Sequence, residues 1–185
     1  MDPNIGQYVG VLQEDGQKFM EHKEEIFILA HLRCYDLDIP VLMSKFFYEK
    51  FAGQRVRVTA FPKQTRRRIK GERLFYSYLN CIDVAASDCL DESRYIEIEG
   101  VVKSSAGIRL DYKNTSKLKF DLLYGVKFNN VANVIVPCSA FDKTARALID
   151  VEKGDKIKVI GYITGNDTHL RIVVQQFERK EDKRS

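Results

Sequence analysis

The chain has no tryptophan, and its 185 residues include four cysteines, four prolines, three histidines and three methionines. Cys34, Cys81, Cys89 and Cys138 form no C-x-x-C pair, and His22, His31 and His169 are scattered. A structural zinc needs ligands clustered at short spacings, so no metal site is expected. The thiols read as reduced and mostly buried. No apolar run reaches the roughly 18 residues of a membrane helix. The opening Met1-Asp2-Pro3-Asn4 lacks a basic, apolar leader, so a cytoplasmic protein with no membrane contact is expected. There is no Walker loop, G-x-S-x-G, H-E-x-x-H, kinase or dinucleotide fingerprint. The expectation is a protein without catalysis and without a cofactor. Asp36 and Asp38 sit two apart with no further acids beside them, which reads as a turn.

What is present is a repetition. Tyr8-Val9-Gly10-Val11-Leu12 opens one segment and Ile98-Glu99-Gly100-Val101-Val102 opens another about ninety residues on. Inside each, a glycine precedes alternating basic and apolar residues: Gly53-Gln54-Arg55-Val56-Arg57-Val58, then Gly154-Asp155-Lys156-Ile157-Lys158-Val159. A strand-rich unit used twice restricts the fold strongly. The boundaries read as 1–84 and 94–178, with a linker at 85–93 and a short charged tail at 179–185.

In the first copy, strands are expected at 7–12, 26–34, 39–43, 54–61 and 73–82. A polar, acidic stretch covers 13–25, a Ser44-capped helix covers 45–51, and a loop covers 62–72. The second copy repeats the order, with strands at 95–103, 117–124, 131–137, 155–163 and 169–177 and a helix over 139–151. That helix sets Ala140, Ala145, Leu148 and Ile149 on an inner face. Thr164-Gly165-Asn166-Asp167 reads as a tight hairpin turn. The fold class is all-β: two tandem OB-folds, five-stranded Greek-key barrels, each with a helix between strands three and four. An SH3-like barrel is the weaker alternative, because it lacks that helix.

The second copy also carries Val134-Ile135-Val136-Pro137-Cys138, then Phe141-Asp142-Lys143-Thr144-Ala145-Arg146, then Lys153-Gly154-Asp155 before a strand ending in Gly161. In this it resembles the bacterial and phage single-stranded DNA-binding protein family and its relative, the primosomal replication protein N. The likeness covers about 80 residues. The first half shares it through the repeat, in Phe46-Phe47 and Ala52-Gly53-Gln54. The resemblance implies binding of single-stranded DNA without catalysis, in bacterial or mobile-element replication, recombination or transfer. Two family traits are absent: the stacking tryptophan, and an acidic C-terminal tip that recruits partners. The chain ends Glu181-Asp182-Lys183-Arg184-Ser185. If four barrels are the working unit, a homodimer supplies them.

Net charge is a mild +4 but is uneven. Residues 63–73 hold six Lys/Arg against Glu72, a local +5. Single strands are held by a basic groove that follows phosphates and by flat side chains that stack on bases. The strongest candidate is therefore Lys63, Arg66, Arg67, Arg68, Lys70 and Arg73, bracketed by Phe61 before and Tyr76 and Tyr78 after. Arginine suits it, since its fork donates two bonds to phosphate and its plane stacks. In the second copy the candidates are Lys103, Arg109, Tyr112, Lys113, Lys117 and Lys119, followed by Tyr124, Lys127 and Phe128. Phe120 alternates in phase with Leu118 and Leu122 and is expected in the core. A low-specificity site for single-stranded DNA follows. RNA binding stays open, as does a protein-assembly module whose basic loop docks an acidic partner.

Overall fold

The computed structural model describes residues 2–110, 115–166 and 168–180, excepting the side chains of residues 105, 106 and 108–110. The first copy contains β1 (Gly6–Leu12), β2 (Gln17–His22), β3 (Glu25–Cys34), β4 (Leu37–Ser44), helix α1 (Lys45–Phe51), β5 (Arg55–Ile69) and β6 (Glu72–Ala86). Its sheet order is β1-β5-β6-β4-β3-β2. β1 closes the ring by pairing with β3 as well, through Val11 with Arg33 and Leu12 with Leu32. Five strands thus form a barrel and β2 is an additional strand beside β3. The second copy contains β7 (Tyr95–Leu110), β8 (Ser116–Val126), β9 (Val131–Phe141), helix α2 (Asp142–Ala147), β10 (Lys156–Gly165) and β11 (Leu170–Arg179). These five strands form a closed barrel in the order β10-β11-β9-β8-β7.

Alternation builds both cores. Ile28, Ala30, Leu32 and Cys34 point inward from β3, and Leu118, Phe120, Leu122 and Tyr124 from β8. In each barrel one pair is parallel, β4 with β6 and β9 with β11. The repeated glycine has one job in both. Gly53 has φ +79° and Gly154 φ +100°, a region costly for any residue with a Cβ. Each donates its N–H to the first strand of its barrel: Gly53 to Leu12 O (2.7 Å), and Gly154 to Val102 O (2.9 Å). The next residue accepts in return, Gln54 O from Leu12 N and Asp155 O from Val102 N, each at 2.9 Å.

Three expectations need correction. The helix of the first copy follows the fourth strand, because 13–25 is not all loop: Gln17–His22 pairs with β3 as β2. Residues 62–72 are not a loop either. β5 and β6 continue as a paired arm out to Ile69 and Glu72, turned by Lys70 and Gly71. Both turn residues have positive φ (49° and 85°), the geometry of a two-residue hairpin turn. The second helix is shorter than 139–151, since Ser139–Phe141 still belongs to β9. Ala145 and Leu148 are buried as expected, whereas Ile149 is exposed. Ser44 does cap α1, its hydroxyl accepting from Phe47 N at 3.3 Å.

By packing, the chain divides into one unit of residues 5–95 with 164–170, and another of residues 1–4, 96–163 and 171–185. In the first, buried Ser77 donates N–H to Thr168 O (3.0 Å) and Oγ–H to Leu170 O (2.9 Å), and accepts from Leu170 N (2.7 Å). In the second, the Asn4 amide donates to Glu99 O (3.2 Å) and Gly125 O (2.8 Å) and accepts from Glu99 N (2.9 Å). All four cysteines are free, and burial raises the thiol pKa to about 12 at Cys34 and Cys81 and higher at Cys138. Among the described residues no helix is long and apolar enough to cross a membrane. No cluster of metal-ligating side chains occurs among them either.

Candidate nucleic-acid interface

The β5–β6 arm sorts the predicted cations onto two faces. Its register pairs Lys63 with Tyr78, Thr65 with Tyr76, Arg67 with Leu74 and Ile69 with Glu72. The intervening pairs are Gln64 with Ser77, Arg66 with Phe75 and Arg68 with Arg73. Side chains alternate across a sheet, so Lys63 and Arg67 share one face and Arg66, Arg68 and Arg73 the other. Lys70 is in the turn. Arg68 directly opposes Arg73, an arrangement in which like charges repel.

The first face folds onto an aromatic cluster. Phe19 of β2 lies edge-on to Tyr76 (centroids 5.2 Å, 81°) and Tyr78 (5.7 Å, 72°). Leu42 of β4 completes the buried group, with Phe27, Leu29 and Tyr76 half-buried around it. Leu42 alternates with inward-facing Val41 and Met43, and Phe27 and Leu29 with inward-facing Ile28 and Ala30. The cluster is therefore on the outer face of β3 and β4, the face on which OB-folds bind polymers. The Arg67 guanidinium carbon is 4.3 Å from the Phe19 ring centroid. On the second face Arg66 is 5.1 Å from the ring of Phe75, which is 41% exposed. Ile69 and Leu74 add partly exposed apolar surface at the tip.

Not every predicted residue is at the surface. Phe61 and Tyr78 are 2% exposed and Tyr124 4%, so these rings are buried and offer no face to a base. The Tyr78 hydroxyl donates to Thr65 Oγ1 at 3.3 Å; burial raises its pKa, and the Thr65 bond and Arg67 charge oppose that rise. Tyr76 is half-buried, with Lys63 and Arg67 half-exposed and Arg66, Arg68, Lys70 and Arg73 exposed. In the second barrel Lys103, Lys119, Lys127 and Phe128 are exposed. The Lys117 ammonium is 5.3 Å from the Phe141 ring centroid, across a β8–β9 pair. Tyr112 and Lys113 lie outside the described residues, as does the Arg109 side chain. A shallow groove of about 390 Å³, lined by Gly100, Leu123, Tyr124, Asn133 and Lys156 among others, takes in Tyr124 alone of the predicted set.

Sequence reasoning does not find Phe19, Phe27 and Phe75. Phe75 has a signal, since it stands within the aromatic run after the arginines. Arg33, on the outer face of β3, is engaged in an exposed ion pair. It grips Asp38 with two bonds, 2.8 and 2.9 Å, which also hold the Asp38 carboxyl below its usual range.

Comparison with solved structures gives the fold. The wild-type single-stranded DNA binding protein from Thermus aquaticus superposes with TM-score 0.76 at 13% identity, over 100% of this chain and 96% of that one. This chain has the fold of that protein. A deletion mutant of the same protein matches equally, TM-score 0.76 over 98% and 96%. The tandem of two barrels therefore occurs within one chain in a solved structure. The protein PriB from Ralstonia solanacearum aligns with 48% of this chain at 11% identity and TM-score 0.43. No family model matches the sequence, and no curated protein does.

Proposed function

We propose that this chain binds single-stranded DNA with little sequence preference and without catalysis. The observation that carries the reading is the β5–β6 arm. Six cations, three of them exposed arginines on one face, extend from a barrel whose polymer-binding face is lined with aromatics. Phosphate contacts give affinity without reading sequence, and aromatic platforms accept any base. The whole-chain likeness in fold to a protein described as single-stranded DNA binding supports it. Lys103, Lys117, Lys119, Lys127 and Phe128 of the second barrel belong to the same proposal as weaker, secondary contacts. Replication, recombination or mobile-element transfer is the setting that fits such an activity, and a homodimer would supply four barrels.

Fluorescence titration with labelled oligo-dT at two salt concentrations tests this. Submicromolar binding that weakens steeply with salt supports it; no binding at low salt contradicts it and favours an assembly module. An oligo-U competitor of equal strength extends the reading to RNA, since stacking alone does not distinguish the sugars. A light-scattering mass of two chains supports the dimer, and a mass of one counts against it.

A further inference from the structure

Phe19 sits at a break in register. Lys18 pairs with Ile28 and Met20 with Phe27, so Phe19 is the extra residue of a β-bulge in β2. Bulges turn a side chain away from the regular pleat, and they recur beside functional sites. Here the bulged ring is 7% exposed, too covered to stack on a base itself. Besides Leu42 of β4 and Phe27 and Leu29 of β3, it meets the arm: Tyr76 at 5.2 Å, Tyr78 at 5.7 Å and the Arg67 guanidinium at 4.3 Å.

We propose that Phe19 is a positioning residue for nucleic-acid binding: its bulged ring holds Arg67 and fixes the arm's inner face before any ligand arrives. A guanidinium resting on an aromatic ring keeps its N–H fork free for an anion. Ordering the side chain in advance removes an entropy cost that binding would otherwise carry. The outer face needs no such strand, because Arg66 rests on its own cross-strand neighbour Phe75. β2 is thus the element that makes the inner face usable. This rests on the function proposed above, and the test separates the two.

Oligo-dT binding is measured against salt for the wild type, Phe19→Leu, Phe19→Tyr, Arg67→Ala and the Phe19→Leu/Arg67→Ala double variant. Phe19→Leu should weaken binding about three- to tenfold, the range of one cation–π interaction. It should flatten the salt slope as much as Arg67→Ala does, by about 0.7 for one phosphate. Phe19→Tyr should restore the wild-type slope, and the double variant should bind no worse than Arg67→Ala. An unchanged slope in Phe19→Leu, or effects that multiply in the double variant, overturns the inference while the proposed function stands. A wild type that binds nothing overturns both. One readout needs no variant: Arg67 side-chain protons in the free wild type should be shifted upfield by the ring, and random-coil shifts would overturn the positioning role.

Discussion

Tyr8 carries the largest polar misfit at the residue scale. Its side chain is fully buried and the hydroxyl has no hydrogen-bond partner among the described residues. Burial alone pushes its pKa far above the ordinary tyrosine value. An unsatisfied buried hydroxyl costs about 1–3 kcal/mol, so Tyr8→Phe should leave stability equal or raise it. Urea unfolding checks this, and a destabilisation above about 1 kcal/mol would reveal a hidden partner. The cysteines divide just as clearly. Thiolates react and thiols do not, and burial keeps Cys34, Cys81 and Cys138 protonated at neutral pH. A disulfide reagent at about pH 7.5 should therefore modify exposed Cys89 fast, half-buried Cys81 more slowly, and buried Cys34 and Cys138 only on unfolding. Fast reaction at Cys34 or Cys138 would contradict the packing.

At the element scale, Gly53 and Gly154 hold the same place in two barrels, each at positive φ and each bonded to the first strand. Alanine there should cost about 1–2 kcal/mol at either site, read by thermal or urea unfolding. A neutral Gly154→Ala would break the equivalence. The arm makes a second prediction. Alanine at Arg66, Arg68 and Arg73 empties one face, and alanine at Lys63 and Arg67 the other. Each set should flatten the salt dependence of oligo-dT binding by about 0.7 for every phosphate left without its cation. Equal slopes for wild type and both sets would show that the arm touches no phosphate. The elements also show what a sequence reveals. Strand centres are legible because apolar residues alternate, and Gly53 and Gly154 because φ values of +79° and +100° favour glycine. β2 is hidden because Gln17–His22 is mostly polar and its bulge breaks the period of two. The arm reads as a loop because its charges mask the strand pattern, even though one face packs on the Phe19 cluster. Tyr124 is legible in principle, being in phase with Leu118, Phe120 and Leu122. What no pattern in the chain reveals is Phe19 beneath Arg67, a ring and a guanidinium brought together from different strands of the sheet.

For the whole molecule, 13% identity accompanies a TM-score of 0.76 across nearly the full length of both chains. A barrel constrains alternation, a few glycines and strand order, and leaves most residue identities open. That is why a resemblance carried by the second copy points to a fold that the first copy also adopts. The two copies differ outside that scaffold. The first has β2, the aromatic cluster and the arm; the second has a short β10–β11 turn and scattered lysines. The arm should accordingly dominate binding. The most direct measurement is the salt dependence of oligo-dT affinity for the wild type and for a variant with Lys63, Arg66, Arg67, Arg68 and Arg73 all changed to alanine. The prediction is a steep linear fall of log K with log salt in the wild type, and a slope in the variant flatter by about 3.5 if each of the five cations meets one phosphate. A wild type that does not bind, or a variant whose affinity and slope match it, would contradict the arm as the binding site.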